Sequence, residues 1–219
     1  MTETFPLYHS FDAKLAKNIG EQSVSSNIQA IIELVKNSFD ADALNCKVHF
    51  YAEGQQGEHI KMSKIVIEDN GVGMTVEDFK TKWMRVATNF KNEERTSPVL
   101  ERRVSGEKGM GRFASQRLGD IIKIISNPED FTGRDKTKFG YNTVELTIDW
   151  SQYIAGEDFE KIKNTMKILD QTSEHGVKIE ITNLKDNWTR KDIDAVLINA
   201  GSLISQRFVQ KEDKKNYFN

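Results

Sequence analysis

The sequence predicts an α+β domain: a layer of helices on one face of a mixed, mostly antiparallel sheet. Three observations predict it. Residues 15 to 41 place Ile28, Ile31, Ile32, Val35 and Phe39 at helical spacing. CKVHFYA (46 to 52) and KIVIE (64 to 68) are short β-branched or alternating runs separated by a polar, glycine-bearing stretch, and they read as a hairpin. Three further strand-like runs follow: IIKIIS (121 to 126), NTVELTID (142 to 149) and VKIEIT (177 to 182).

Taken in order, the elements begin with one helix across 15 to 41, then the hairpin. After DNGVGM comes TVEDFKTKWM, where Thr75 as N-cap with Asp78 three residues on makes a capping box and opens a second helix. Residues 86 to 105 have no periodicity and carry mixed charges, Thr and Pro. They read as a long loop, which in a compact domain is usually functional. Arg102 and Arg103 in it read as solvated, with a phosphate contact as the alternative. A helix is expected over 189 to 207, and the polar end QKEDKKNYFN looks like a stopping point. Trp188 and that helix either close the sheet or connect, over 189 to 219, to a following domain.

The chain's 219 residues suit one domain, 1 to 219, large enough to bury a continuous core. A formal charge of −2 gives no bulk electrostatic case for a nucleic-acid or membrane partner, so any polyanion site is local. The single Cys46 forms no internal disulfide, and no apolar run approaches the roughly 20 residues that cross a bilayer. With no signal peptide visible, a cytoplasmic location is expected. His49, His59, His175 and Cys46 lack metal-ligand spacing.

Three clusters carry chemistry. On the first helix Glu33, Asn37 and Asp40 form a polar stripe opposite the apolar one, which is either an ordinary solvated face or a ligand face. In IEDNGVGM, Asp69 ends a strand beside Gly71 and Gly73, which permit positive φ or tight approach; the segment is either a plain turn or a carboxylate placed to accept from an exocyclic amine. In GEKGMGRFAS, Gly106, Gly109 and Gly111 crowd three of the chain's 14 glycines into six positions before a helix start. Converging backbone amides there suit phosphate oxygens, and Lys108 and Arg112 add positive charge. The spacing is neither the P-loop nor the dinucleotide fingerprint. An amine acceptor, a phosphate cradle and a carboxylate/amide helix face are together the parts of a nucleoside triphosphate site.

ELVKNSFDADA, EDNGVGM and GEKGMGRFA resemble, in order, the first three motifs of the GHKL superfamily of ATP-binding domains, named for gyrase, the heat-shock chaperone, histidine kinases and MutL. HGVKIEI (175 to 181) is similar to a fourth, with Val177 where the family usually has Thr. WMRVATNFK (83 to 91) is similar to the lid start of chaperone-like and MORC-like members, with Ala87 where glycine is common.

The resemblance implies a two-layer α/β sandwich of the Bergerat type, with ATP between helices and sheet under a lid at about 86 to 111. It implies Glu33 as general base, Asn37 as Mg2+ ligand, and Asp69 as acceptor for the adenine amine. Gly73 and Met74 would line the base pocket, Gly71 and Val177 would also contact the nucleotide, and Asp40 would lie near base and ribose. Thr88 and Lys91 would lie near the nucleotide, Gly106, Gly109 and Gly111 would wrap the phosphates with Lys108 and Arg112 adding positive charge, and Met110 and Phe113 would also contact the nucleotide. The expected function is Mg-dependent ATP binding and slow hydrolysis by the N-terminal nucleotide switch of a larger ATPase, a homodimer with a following transducer-like domain that supplies a basic residue. The alternatives are the catalytic domain of a histidine kinase and a regulatory module that binds nucleotide without turnover.

Overall fold

A computed structural model describes residues 12–84, 96–104, 114–130 and 141–201. Six strands form one sheet: β1 (Cys46–Gln56), β2 (His59–Asp69), β3 (Gly119–Asn127), β4 (Thr143–Asp149), β5 (Thr165–Leu169) and β6 (Gly176–Leu184), in the order β1-β2-β6-β3-β4-β5. All five pairings are antiparallel, so among the described residues the sheet is not mixed. The hairpin is longer than its apolar runs, because the polar stretch between them continues both strands and turns only at Gly57 and Glu58. β5 has no counterpart among the expected strands; it is a short edge strand, exposed throughout, and TMKIL lacks the alternation that marks the others.

Register explains the core. Ile65, Ile181, Ile122 and Ile148 face one another across four strands, and Ile67, Ile179, Ile124 and Leu146 form the next row. All eight are buried. The opposite face carries charges paired across strands, among them Glu145 with Lys123 at 2.8 Å and with Lys167 at 3.0 Å. Such exposed pairs contribute little stability, and they mark this face as solvated.

The helices cover the apolar face. The single helix expected over 15 to 41 is two, α1 (Ala13–Ser23) and α2 (Asn27–Asp40). Val24 is extended and buried, and Ser26 caps α2 by accepting from the Gln29 amide at 3.1 Å. Serine favours that non-helical capping position, so apolar spacing continues across a real break. Next come α3 (Val76–Asp78), continued by a π-helical turn Phe79–Trp83, and α4 (Ala114–Leu118), which packs on α1 and α2. The α3 capping box is present: Thr75 Oγ1 accepts from the Asp78 amide at 3.1 Å, and Asp78 Oδ2 accepts from the Thr75 amide at 2.9 Å. Thr75→Ala is expected to cost about 1 kcal/mol in denaturant unfolding; an unchanged midpoint would count against the cap.

A last helix, α5, occupies 190–201; the rest of its expected span lies outside the described residues. Before it, Trp188 is buried against Phe50, ring centroids 5.1 Å apart, and exchanges backbone hydrogen bonds with Ile60. Val196 packs into the core, while Leu197 and Ile198 face outward. No helix among the described residues is long and apolar enough to cross a membrane.

Candidate functional site

The site lies one row beyond the apolar core. Continuing the inward rows toward the end of β2 brings Cys46, Asp69, Val177, Ser126 and Val144 side by side, since Cys46 pairs with Asp69 and Ser126 with both Val177 and Val144. The Val177 amide donates to Asp69 Oδ1 at 3.2 Å and completes the row. The row facing the helices thus changes from aliphatic to polar at the strand ends.

Above it sits the last turn of α2. The polar stripe of this helix is not simply solvated: Asp40 is buried, and Glu33 and Asn37 are half-buried. The buried Ser38 hydroxyl, beside the apolar face of the same helix, donates to Asp69 Oδ2 at 2.7 Å, which ties the last turn of α2 to the end of β2. Glu33 Oε1 accepts from Gln29 Nε2 and from Lys36 Nζ, both at 2.7 Å, so two neighbours on its own helix hold the carboxylate.

The 69–74 loop is held from several sides. The Gly71 amide closes back on Asp69 Oδ1 at 3.0 Å, and the Val72 amide donates to the Ala41 carbonyl at 2.8 Å. Asn70 Oδ1 accepts from the Leu44 and Asn45 amides at 3.0 and 2.8 Å. His175 Nδ1 meets the Gly71 carbonyl at 2.8 Å. The Met74 amide donates to Ser126 Oγ at 2.6 Å, and that hydroxyl donates back to the Met74 carbonyl at 3.1 Å. Two glycines here combine a positive φ with a close backbone approach. Gly73 has φ +62° and a Cβ on it would overlap the Asn127 carbonyl; Gly176 has φ +133° and a Cβ would overlap the Asp69 carbonyl.

Burial pushes the Asp69 carboxyl up from its ordinary value, against the hydrogen bonds from Ser38, Gly71 and Val177 that favour the ionised form; the charge of Glu68 adds to the rise. Burial also pushes the Cys46 thiol up to about 11, so it stays protonated at neutral pH. It lies 3.5 Å from Ser38 Oγ.

Of the expected site residues, Glu33, Asn37 and Asp40 share one helix whose neighbouring Ser38 bonds to Asp69, the Gly71 and Val177 amides donate to that carboxylate, and Gly73 and Met74 lie further along the same loop against Asn127 and Ser126. Thr88, Lys91, Gly106, Lys108, Gly109, Met110, Gly111, Arg112 and Phe113 lie outside the described residues. The helix that follows them, α4, packs beside α2. Sequence reasoning passed over Ser38 and Ser126 and gave His175 no site role; Ser38 adjoins Asn37 in the first motif, whereas the contacts of Ser126 and His175 become visible only through strand register and loop docking.

Arg102 corrects the reading of a solvated loop. Its Nη1 donates to the Ala43 carbonyl at 2.7 Å and its guanidinium lies 4.5 Å from the centroid of the Phe39 ring. Ser97 Oγ donates to Asp42 Oδ1, the Val99 amide donates to Asp42 Oδ2 at 2.7 Å, and Thr96 bridges Arg103. Residues 96–104 are therefore fastened to the carbonyl end of α2, where a cation is favoured.

Comparison with known proteins identifies the family. A family model for the histidine kinase-, DNA gyrase B-, and HSP90-like ATPase matches residues 24–176. The chain is 31% identical over 117 residues to a putative type II restriction enzyme, HgiDII, of Herpetosiphon aurantiacus, covering 53% of this chain and 17% of that protein. It is 27% identical over 135 residues to the chaperone protein HtpG of Orientia tsutsugamushi (strain Boryong), covering 54% and 21%. The matched stretch is thus about a fifth of the length of these relatives. With the family match spanning well over half of the chain, and a helix-on-sheet fold that closes on Asp69, this chain belongs to the histidine kinase-, DNA gyrase B- and HSP90-like ATPase family and carries its type of ATP-binding domain.

Proposed function

We propose that this domain binds Mg·ATP between α2 and the 69–74 loop and hydrolyses it slowly, as the nucleotide switch of a larger ATPase that dimerises. The observation that carries the reading is the Ser38–Asp69 hydrogen bond, by which the helix bearing Glu33 and Asn37 meets the loop bearing Asp69. Asp69 accepts from the adenine amine. Gly71, Gly73, Met74 and Val177 present backbone and apolar surface to the ring, and Asp40 lies toward the ribose.

The donor set suits magnesium, which favours oxygen ligands, retains waters and is held largely by substrate phosphates, so a single amide oxygen from Asn37 is a sufficient protein share. Among the described residues no cluster of three or more His, Cys, Asp or Glu competes as a metal site. Held there, magnesium would supply charge neutralisation to the phosphates. Glu33, one helical turn before Asn37, orients a water toward the γ-phosphate and accepts its proton. In this reading Gly106, Gly109 and Gly111, with Lys108 and Arg112, hold the phosphates, and Thr88 and Lys91 lie near the nucleotide. Relatives as different as a putative restriction enzyme and a chaperone share the matched stretch, which supports a nucleotide-driven part joined to different effectors.

Asp69→Asn tests the base site. The substituted amide turns a donor toward the adenine amine, and ATP affinity is expected to fall about a hundredfold or more by calorimetry. The same change removes a buried charge. A carboxyl whose folded pKa is raised contributes stability when protonated, and that contribution is lost as pH rises from the unfolded value of 3.8 through the folded one. The variant is therefore expected to be at least as stable as the parent at pH 7, with the gap closing on acidification below that window. Undiminished ATP binding in Asp69→Asn would rule out this base site.

A further inference from the structure

The acceptor capacity of Asp69 decides which purine fits. Oδ1 already takes two amides, from Gly71 at 3.0 Å and Val177 at 3.2 Å. Oδ2 takes the Ser38 hydroxyl at 2.7 Å. Since a carboxylate oxygen accepts about two hydrogen bonds, the described residues leave one position, on Oδ2.

Ser38 has a single proton and two acceptors within reach, Asp69 Oδ2 and, at 3.4 Å, the Leu34 carbonyl of its own helix. Serine hydroxyls in helices often bond back in that second way. The Cys46 thiol enters from β1, 3.5 Å from Ser38 Oγ, and being protonated it can donate. A donor on that side of Oγ takes up a lone pair and favours the hydroxyl proton pointing at Asp69.

We infer that Ser38 and Cys46 are specificity-determining positioning residues: their thiol-to-hydroxyl-to-carboxylate chain leaves Asp69 one open lone pair, which selects a purine with an amine at position 6 over one with a carbonyl there. This rests on the reading of the pocket as a purine site. A 6-oxo purine would set its carbonyl oxygen against Oδ2 with no proton between them, an unpaired buried contact. Removing the Ser38 hydroxyl takes away a hydrogen bond that stabilises the ionised carboxylate, so Asp69 can more easily carry the proton that a 6-oxo purine needs. Removing the thiol acts less directly, by freeing the hydroxyl to turn to Leu34.

The test is calorimetric titration of the 219-residue protein with magnesium and either ATP or inosine triphosphate, which differ at position 6 and its adjoining ring nitrogen. The parent is expected to favour ATP about ten- to a hundredfold. Ser38→Ala is expected to reduce that ratio about tenfold, and Cys46→Ala by about threefold, a fraction of one hydrogen bond. Cys46→Ser, which keeps a donor, should restore the parent ratio. A general loss of packing would weaken both nucleotides alike and leave the ratio unchanged. A parent that binds both triphosphates equally, or alanine variants that retain the parent ratio, would overturn the inference while leaving the nucleotide site intact. A parent that binds neither would overturn the site itself. If Ser38→Ala does not fold, the two Cys46 variants decide the matter alone.

Discussion

Gly176→Ala is expected to destabilise the domain by about 4 kcal/mol or more, near the upper end of single-residue effects. Two causes act together. The residue sits at φ +133°, a backbone conformation that a side-chain-bearing residue adopts only with strain. Its Cβ would also overlap the Asp69 carbonyl and crowd the Asn70 backbone, so β2 and β6 would have to part at the point where Asp69 is held. Backbone atoms cannot yield as the end of a flexible side chain can. ATP binding should be lost with stability, because the Val177 amide that bonds Asp69 is the next residue. Denaturant unfolding measures the effect. Gly54→Ala is the control, since a Cβ there meets nothing within 4 Å, and it should change stability by less than about 1 kcal/mol. Equal effects at the two positions would contradict the close approach of β6 to the 69–70 backbone.

Glu33→Ala is expected to lower the rate of phosphate release from ATP at least about a hundredfold, the usual scale for losing a general base, with ATP affinity changed less than about threefold. The side chain is a quarter to a third exposed and is held through Oε1 by Gln29 and Lys36, so its loss removes no core contact. It also removes a negative charge from beside a polyanion, which does not weaken binding. Phosphate release under saturating ATP, paired with calorimetry, separates the two effects. A variant that hydrolyses at the parent rate would remove Glu33 from the base role, and one that no longer binds ATP would make it a binding residue.

The helix-on-sheet architecture was legible because its signals are local. Ile65, Ile67, Ile122, Ile124, Ile179 and Ile181 stand on the inward face at period two, and the Thr75–Asp78 box lies within four residues. The break at Val24 was not legible from apolar spacing, which helices separated by a short bend can share; the serine cap at position 26 was the available signal. β5 escaped because an exposed edge strand needs no buried face and so carries no strong pattern. Arg102 escaped because the Ala43 carbonyl and the Phe39 ring reach it from some sixty residues away in sequence.

By itself the sequence determined the two layers and the order of the motifs, which depend on periodicity and on residue types at short spacing, and the resemblance of those motifs to known ones pointed to the family. Only the tertiary structure decided how Asp69 is held. Its partners come from α2, from its own turn and from β6, at separations of 31, 2 and 108 residues. Hydrogen bonds of that kind are set by antiparallel register and by the docking of α2 on the sheet, and a linear pattern does not encode which side chains those two operations bring within 3 Å of one carboxylate.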